Sequence, residues 1–432
     1  MAYFALSPEQ RSMLFLEGLF GPGIFHNMTV RVPVPERIPE SDVRAAVRRL
    51  HRRQEALRTR LVGHSQFVQS VEDTVPALTV RRLTDGQDVG EELARRRAEL
   101  RNVPQDRSVA GRASHELVES ADGRDRHLLV NLDHFVCDGY SARVAAEELT
   151  ALVNGGDAGP PSGFAGLCRD RARAAASDDR EASYWRTALD GVEPLSGLVP
   201  RPGNDAELTC SQVDLWYPGP RLRACVDALS GACGVTPFAV LAALAGLAIW
   251  RRTGRSRIAL FTPVSNRQQP GLESAVGYFA HDRPIVCRVD PDQSVTTYLK
   301  STMSRSWRSF RNAVRSVGDL VCEVPELGQA LLADGVDYVQ LHVWMEEGTS
   351  GPAPAEPRAV VTHGPFRPAH DLSVTTMRFA FASDRTTARA FAGGGPAGLA
   401  EAESLAGEVL TLLTAAAGAG DITVGALAEL GS

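Results

Sequence analysis

Asn131-Leu132-Asp133-His134-Phe135-Val136-Cys137-Asp138-Gly139-Tyr140-Ser141 is the most informative stretch of this 432-residue chain. Just upstream, Leu128, Val130 and Leu132 alternate with Leu129, Asn131 and Asp133, which is the period of a strand, and His134 continues the apolar side. After the Asp138-Gly139 turn, Ser141 stands where its hydroxyl can cap a helix reaching about Asn154, with Val144, Leu149 and Leu152 buried. A histidine and an aspartate four positions apart therefore meet at a strand-to-helix junction. Cys137 lies between them, but nothing nearby would lower its pKa, and it reads as a buried structural thiol.

Outward from this junction, Ser7-Pro8-Glu9-Gln10 places a capping hydroxyl, a proline at the first helical position and a glutamine able to complete a capping box, so a helix should run through Leu16. A second helix begins near Ser41, with Val43, Val47, Leu50 and Leu57 on one stripe and Arg48, Arg49, Arg52 and Arg53 on a solvated face. Gly155–Pro161 and Leu195–Asp205 are rich in Pro and Gly, and a boundary near residue 190 divides the chain into two units of roughly 200 residues, an ordinary domain size. Beyond it the periodicity predicts helices near Arg221–Ser230 and Phe238–Trp250, and strands near Ile258–Val264, Val336–Trp344 and Val374–Ala382. Gly351–Pro368 and Gly393–Pro396 read as loops.

The composition, 44% hydrophobic and 23% charged, is that of a globular chain. A net charge of −6 gives no electrostatic reason to bind nucleic acid. The seven cysteines never form a C-x-x-C pair, so neither a disulfide framework nor a metal site is indicated, and a reducing cytoplasm is the expected compartment. Phe238–Trp250 is too short to span a bilayer, so no membrane association is expected. No phosphate-binding glycine loop, H-E-x-x-H or G-x-S-x-G string occurs.

The central stretch resembles the HHxxxDG signature of condensation domains and the HxxxD core of related acyltransferases. Further regions on either side of it stand in that family's order. Leu6-Ser7-Pro8-Glu9-Gln10 resembles the opening motif, and Arg53-Gln54-Glu55-Ala56-Leu57-Arg58-Thr59 the RHExLRT motif. Pro263-Val264-Ser265-Asn266-Arg267 with Val276-Gly277-Tyr278-Phe279 is similar to the strand-arginine and IGxFVNT regions, and His370-Asp371-Leu372-Ser373 to the start of the late strand.

The resemblance implies an α/β (α+β) fold of two chloramphenicol-acetyltransferase-like lobes, residues 1–190 and 191–432, in a V-shaped arrangement with a central tunnel. His134 would be the catalytic residue mid-tunnel, its neutral imidazole accepting a proton from, or positioning, an amine or hydroxyl beside a thioester carbonyl. Asp138 would turn away and pair with an arginine, best matched by Arg267, while Gly139 would permit a tight turn. Tyr140, Ser141, His281 and His342 are candidate tunnel residues.

The expected activity is that of a free-standing enzyme forming an amide or ester in specialised-metabolite biosynthesis. The chain itself would bind no cofactor. The acyl donor would arrive on the phosphopantetheine arm of an acyl or peptidyl carrier protein, and the acceptor would be a small molecule or itself carrier-bound.

Asp133 departs from the family, standing where the first histidine of the signature is usual. With Asp138 and Ser141 it also fits the DxxxxDxxS pattern of heterocyclisation domains. His281 and Asp282 likewise replace an Asn-Thr pair, and Ala390–Gly394 replaces a tyrosine-rich stretch. A coenzyme A-dependent acyltransferase and a non-catalytic recruitment module remain as alternatives.

Overall fold

The computed structural model describes residues 3–20, 27–63, 67–101, 103–157, 159–160, 162–177, 179–198, 209–269, 271–312, 315–333, 335–346, 357–365, 373–393 and 395–431. His370, Asp371 and Leu372 lie outside them. The first part of the chain forms β1 (Tyr3–Ala5), β2 (Met28–Pro33), β3 (Thr59–Val62), β4 (Val68–Val71), β5 (Leu78–Arg82), β6 (Ala113–Glu119) and β7 (Arg126–Leu132). Later come β8 (Thr209–Pro218), β9 (Arg257–Val264), β10 (His281–Arg288), β11 (Asp337–Met345), β12 (Arg358–Pro365), β13 (Ser373–Phe381) and β14 (Arg385–Gly393).

One sheet has the order β2-β7-β6-β5, a small one β1-β4-β3, and a large one β10-β9-β11-β13-β14-β8-β12. Helices alternate with these strands, giving the mixed α/β fold expected from the sequence. Strand β7 is central in its sheet and buried along its whole length. Leu128, Val130 and Leu132 join the core beneath the helices Glu40–Arg53 and Gly139–Val153, whereas Leu129 packs with Val89, Leu93 and Leu100 on the opposite face. Helices cover both faces, so the sequence alternation does not become an alternation of burial.

The first helix carries the capping box, Gln10 N donating to Ser7 Oγ (3.2 Å) and Ser7 N to Gln10 Oε1 (3.1 Å), and it extends to Phe20. Arg48, Arg49 and Arg52 are exposed as expected. Arg53 is not: it is half-buried and ion-paired with Glu148, tying its helix to Gly139–Val153. Proline-rich Gly351–Pro368, expected as a loop, is described only at residues 357–365. Its residues 358–365 form β12, an edge strand that needs only one partner and carries its proline at the end, beyond a register shift. Of the break Gly393–Pro396, Gly393 ends β14 and Gly395 and Pro396 lie in the first turn of the helix Gly395–Ala419, while Gly394 lies outside the described residues.

The helix Pro237–Thr253 is buried in the main core of the second part. Among the described residues no single helix is long and apolar enough to cross a membrane; it and Arg221–Cys233 qualify only as a pair, bent by 101°. Two features cross between the parts. Leu272, Ala275, Val276, Tyr278 and Phe279 enter the core of the first part, and Leu16 and Leu19 pack with Trp185, Phe261 and Tyr338. The motif region lies against the first of these crossings.

Candidate active site

Strand β7 ends at Leu132, and Asp133 turns the chain by accepting from Phe135 N (3.0 Å), capping a short 3-10 turn over His134–Val136. The strand alternation therefore does not reach His134; a turn presents its ring. Phe135, Val136 and Cys137 are buried and anchor that turn, while His134 stays half-buried. Its ring meets Tyr278 edge-on, with centroids 5.5 Å apart. Burial holds the imidazole below its ordinary value of 6.5, so it is neutral near pH 7 and able to accept a proton. Burial pushes the Cys137 and Tyr278 groups well up, which leaves both un-ionised.

Asp138, not Ser141 as the sequence suggested, caps the helix Gly139–Val153, its Oδ1 accepting from Ser141 N at 2.7 Å. Asp138 Oδ2 accepts from Phe279 N (2.9 Å), and Arg267 Nη2 lies 3.1 Å from Oδ1. Both side chains of this ion pair are almost fully buried. The guanidinium also donates through Nη1 to Ala275 O at 2.9 Å and stands 4.4 Å from the Tyr140 ring and 4.5 Å from that of Phe279. Ser141 Oγ donates to Gly277 O, accepts from Gly277 N (3.0 Å) and accepts from Arg267.

These bonds fasten the histidine turn to the crossing segment. Gly277 is required there by close approach: an added Cβ would sit 2.6 Å from Phe279 and 2.7 Å from Phe164. Gly139, expected to serve a tight turn, opens the helix without a positive φ, and a Cβ there would meet Met28 at an ordinary 3.7 Å.

The other family-like regions converge on the same segment. Gln54 accepts from Val276 N (2.9 Å) and donates to Ser274 O (3.1 Å). Glu9, fully buried, accepts from Asn266 Nδ2 at 2.8 Å and pairs with Arg171. Asn266 has φ 47°, the one positive value among described non-glycine residues, and asparagine tolerates that left-handed conformation better than most residues.

Asp133 forms ion pairs with Arg112 (3.1 Å) and Arg107 (3.3 Å), and Arg107 also holds Glu17. It is thus a buried support of the histidine turn. Arg107, Arg112 and Glu17 carry no motif, and their part was invisible in the sequence.

Two candidate tunnel residues are corrected. Ser141 and His281 are fully buried, and the protein itself occupies their polar atoms; His281 Nε2 contacts Ser12 Oγ at 3.1 Å and Nδ1 contacts Arg283. Tyr140 is half-buried between Arg143 and Arg267. His342 stands in β11, half-buried and 3.4 Å from Arg378.

Asp282, on the face of β10 opposite His281, was not assigned a role from sequence. It accepts from Gln340 Nε2 (2.9 Å) and the Tyr338 hydroxyl (3.3 Å), and burial pushes its carboxyl up to about 6. Because this value is raised, the folded state keeps a proton that the unfolded chain releases near pH 4, so stability falls as pH rises from about 4 through about 6. Asp282→Asn is expected to stabilise the protein by about 1–3 kcal/mol near pH 7 and hardly at all near pH 4. Denaturant unfolding at the two pH values tests this, and equal differences at both would refute the buried charge.

The condensation-domain family matches residues 2–332. Tyrocidine synthase 3 of Brevibacillus parabrevis is 26% identical over 302 residues, 68% of this chain, which spans only 4% of that synthase. Among solved structures, SgcC5 from Streptomyces globisporus superposes with a TM-score of 0.75 at 20% identity, covering 96% of this chain and 98% of its own. The X-domain in complex with OxyB from teicoplanin biosynthesis gives 0.72 at 19% identity, covering 99% and 96%. At these identities the structures speak for the fold alone, which they share with this chain over nearly its full length.

Proposed function

Because this chain belongs to the condensation-domain family, we propose that it transfers an acyl group from a carrier-protein thioester to an amine or hydroxyl, forming an amide or ester. The observation that carries this reading is the half-buried, neutral His134 on a turn held from two sides, by Asp138–Arg267 and by Asp133 with Arg107 and Arg112. A held imidazole can align the attacking nucleophile and accept its proton as the new bond forms and the thiolate of the arm departs. The arm belongs to a partner carrier protein, and the residues of this chain need only receive it.

Asp133 supports condensation over ring closure. Its carboxylate faces two guanidinium groups and a backbone N–H, which fits a supporting part in the turn. The test is intact-mass analysis of products from a loaded carrier protein with amine, hydroxyl and cysteine acceptors. An acyclic amide or ester is expected from the wild type, and also from Asp133→Asn. A product lighter by one further water would establish cyclisation, and turnover with acyl-coenzyme A alone would remove the carrier protein from the scheme. The X-domain's complex with OxyB motivates a recruiting module as the second reading, which binding of a partner without product from any acceptor would favour.

The pH profile follows from His134. Its pKa is lowered, so the active neutral form persists below 6.5 as pH falls. The acidic limb of kcat/KM is therefore expected below pH 6.5, and it should vanish when His134 is replaced.

A further inference from the structure

His342, Arg378, Arg389 and Asp214 are successive cross-strand partners on β11, β13, β14 and β8. Their side chains consequently stand in one row on one face of the large sheet. The other face, with Val339, Leu341, Met377 and Phe379, packs into the apolar core. The row itself is half-buried and reachable.

Arg378 and Arg389 are directly opposed, an arrangement in which like charges destabilise a sheet. Asp214 answers Arg389, with Nη2 3.0 Å from Oδ2, and a second bond from Nε completes a bidentate pair. Arg378 has no such partner among the described residues. It lies 3.4 Å from a nitrogen of His342 and 5.6 Å over the ring of Trp344, and its Nε is buried without a hydrogen bond. Arg101, at the end of the helix Val89–Arg101, is near enough for its charge to be felt, repelled by Arg389 and itself repelling Arg378. Burial, then repulsion from Arg389 and Arg97, pushes Arg101 down to about 10; burial, then repulsion from Arg389 and Arg101, does the same to Arg378, and burial holds His342 neutral.

Two guanidinium groups of the row, with a third in electrostatic reach, thus share one carboxylate that is already engaged. We propose that Arg101, Arg378 and Arg389 form a site for an oxyanion carried by one of the two substrates, with exposed Trp344 flanking it. The substrate role rests on the condensation reading. The oxyanion is either the phosphate of the donor's pantetheine arm or an anionic group on the acceptor, and planar guanidinium forks suit both.

Inorganic phosphate is the first probe, titrated calorimetrically at low ionic strength into the wild type, Arg378→Gln and Arg101→Gln. Each variant is expected to bind phosphate about tenfold more weakly, the loss of a charge-assisted contact. Unliganded Arg378→Gln should melt no lower than the wild type, since a repulsion is relieved, and this separates ligand binding from a structural role. Absent phosphate binding, or equal binding by all three proteins, overturns the site.

Steady-state KM then locates the source. A preference for an acyl-phosphopantetheine over an acyl-pantetheine donor, lost in Arg378→Gln, assigns the donor phosphate. A preference for a carboxylated acceptor over its amide, lost in the same way, assigns the acceptor. Measurable turnover with neither preference refutes the substrate role. Intact phosphate binding in a protein that makes no condensation product would leave the anion site standing and fell the condensation reading instead.

Discussion

His134→Ala is expected to slow product formation by about 10²–10⁴-fold, the usual contribution of a placed acid–base group, while the protein keeps its fold. The side chain is half-buried, and its turn is held by neighbours: Asp133 caps it, and Phe135, Val136 and Cys137 anchor it in the core. Removing the ring therefore opens no large cavity and strands no buried charge. Amide formation should retain more activity than ester formation, because an amine needs less help from a base than an alcohol. Product mass with a loaded carrier protein gives the rate, and thermal unfolding gives the fold. Unchanged turnover by a folded variant would remove His134 from the mechanism.

Asp138→Ala is expected to cost about 3–5 kcal/mol, because it leaves the Arg267 guanidinium buried without its counter-charge. It also removes the acceptor for Ser141 N and Phe279 N, so the helix cap and the tie to the crossing segment are lost together. Arg267→Ala should cost less, since those two N–H groups still satisfy the carboxylate, although contacts with the Tyr140 and Phe279 rings disappear. The double variant should lose less than the sum of the two singles. Burial shields the pair from salt, so the coupling should persist at high ionic strength. Denaturant unfolding of the four proteins measures it, and strict additivity would mean the ion pair contributes no coupling. Activity should fall in each variant even where folding is complete, because the same pair orients the histidine turn.

Much of this site could be read locally. Ser7 with Gln10, the strand before Asp133 and the helix after Gly139 depend on neighbours within a few positions, where capping and periodicity act. Asp138 and Arg267 were paired from the resemblance, and they meet across 129 positions. At other positions local chemistry allows two outcomes, and the fold selects one. Ser141 and Asp138 can each cap a helix, and the aspartate does so because Ser141 Oγ is drawn to Gly277 and Arg267. His281 could have faced open space or the core, and the alternation along β10 turns it toward Ser12 while Asp282 takes the other face.

By itself the sequence determined the mixed α/β class, the family and the junction bearing His134, because motif spacing and residue periodicity survive without knowledge of distant neighbours. Beyond Asp138 and Arg267, only the tertiary structure decided which charges meet. Arg107 and Arg112 reach Asp133, Glu9 reaches Asn266 and Arg171, and the row from His342 to Asp214 exists only once four strands are in register. Such contacts join side chains far apart in sequence, and burial rather than local pattern sets their energy, so no window of residues contains them.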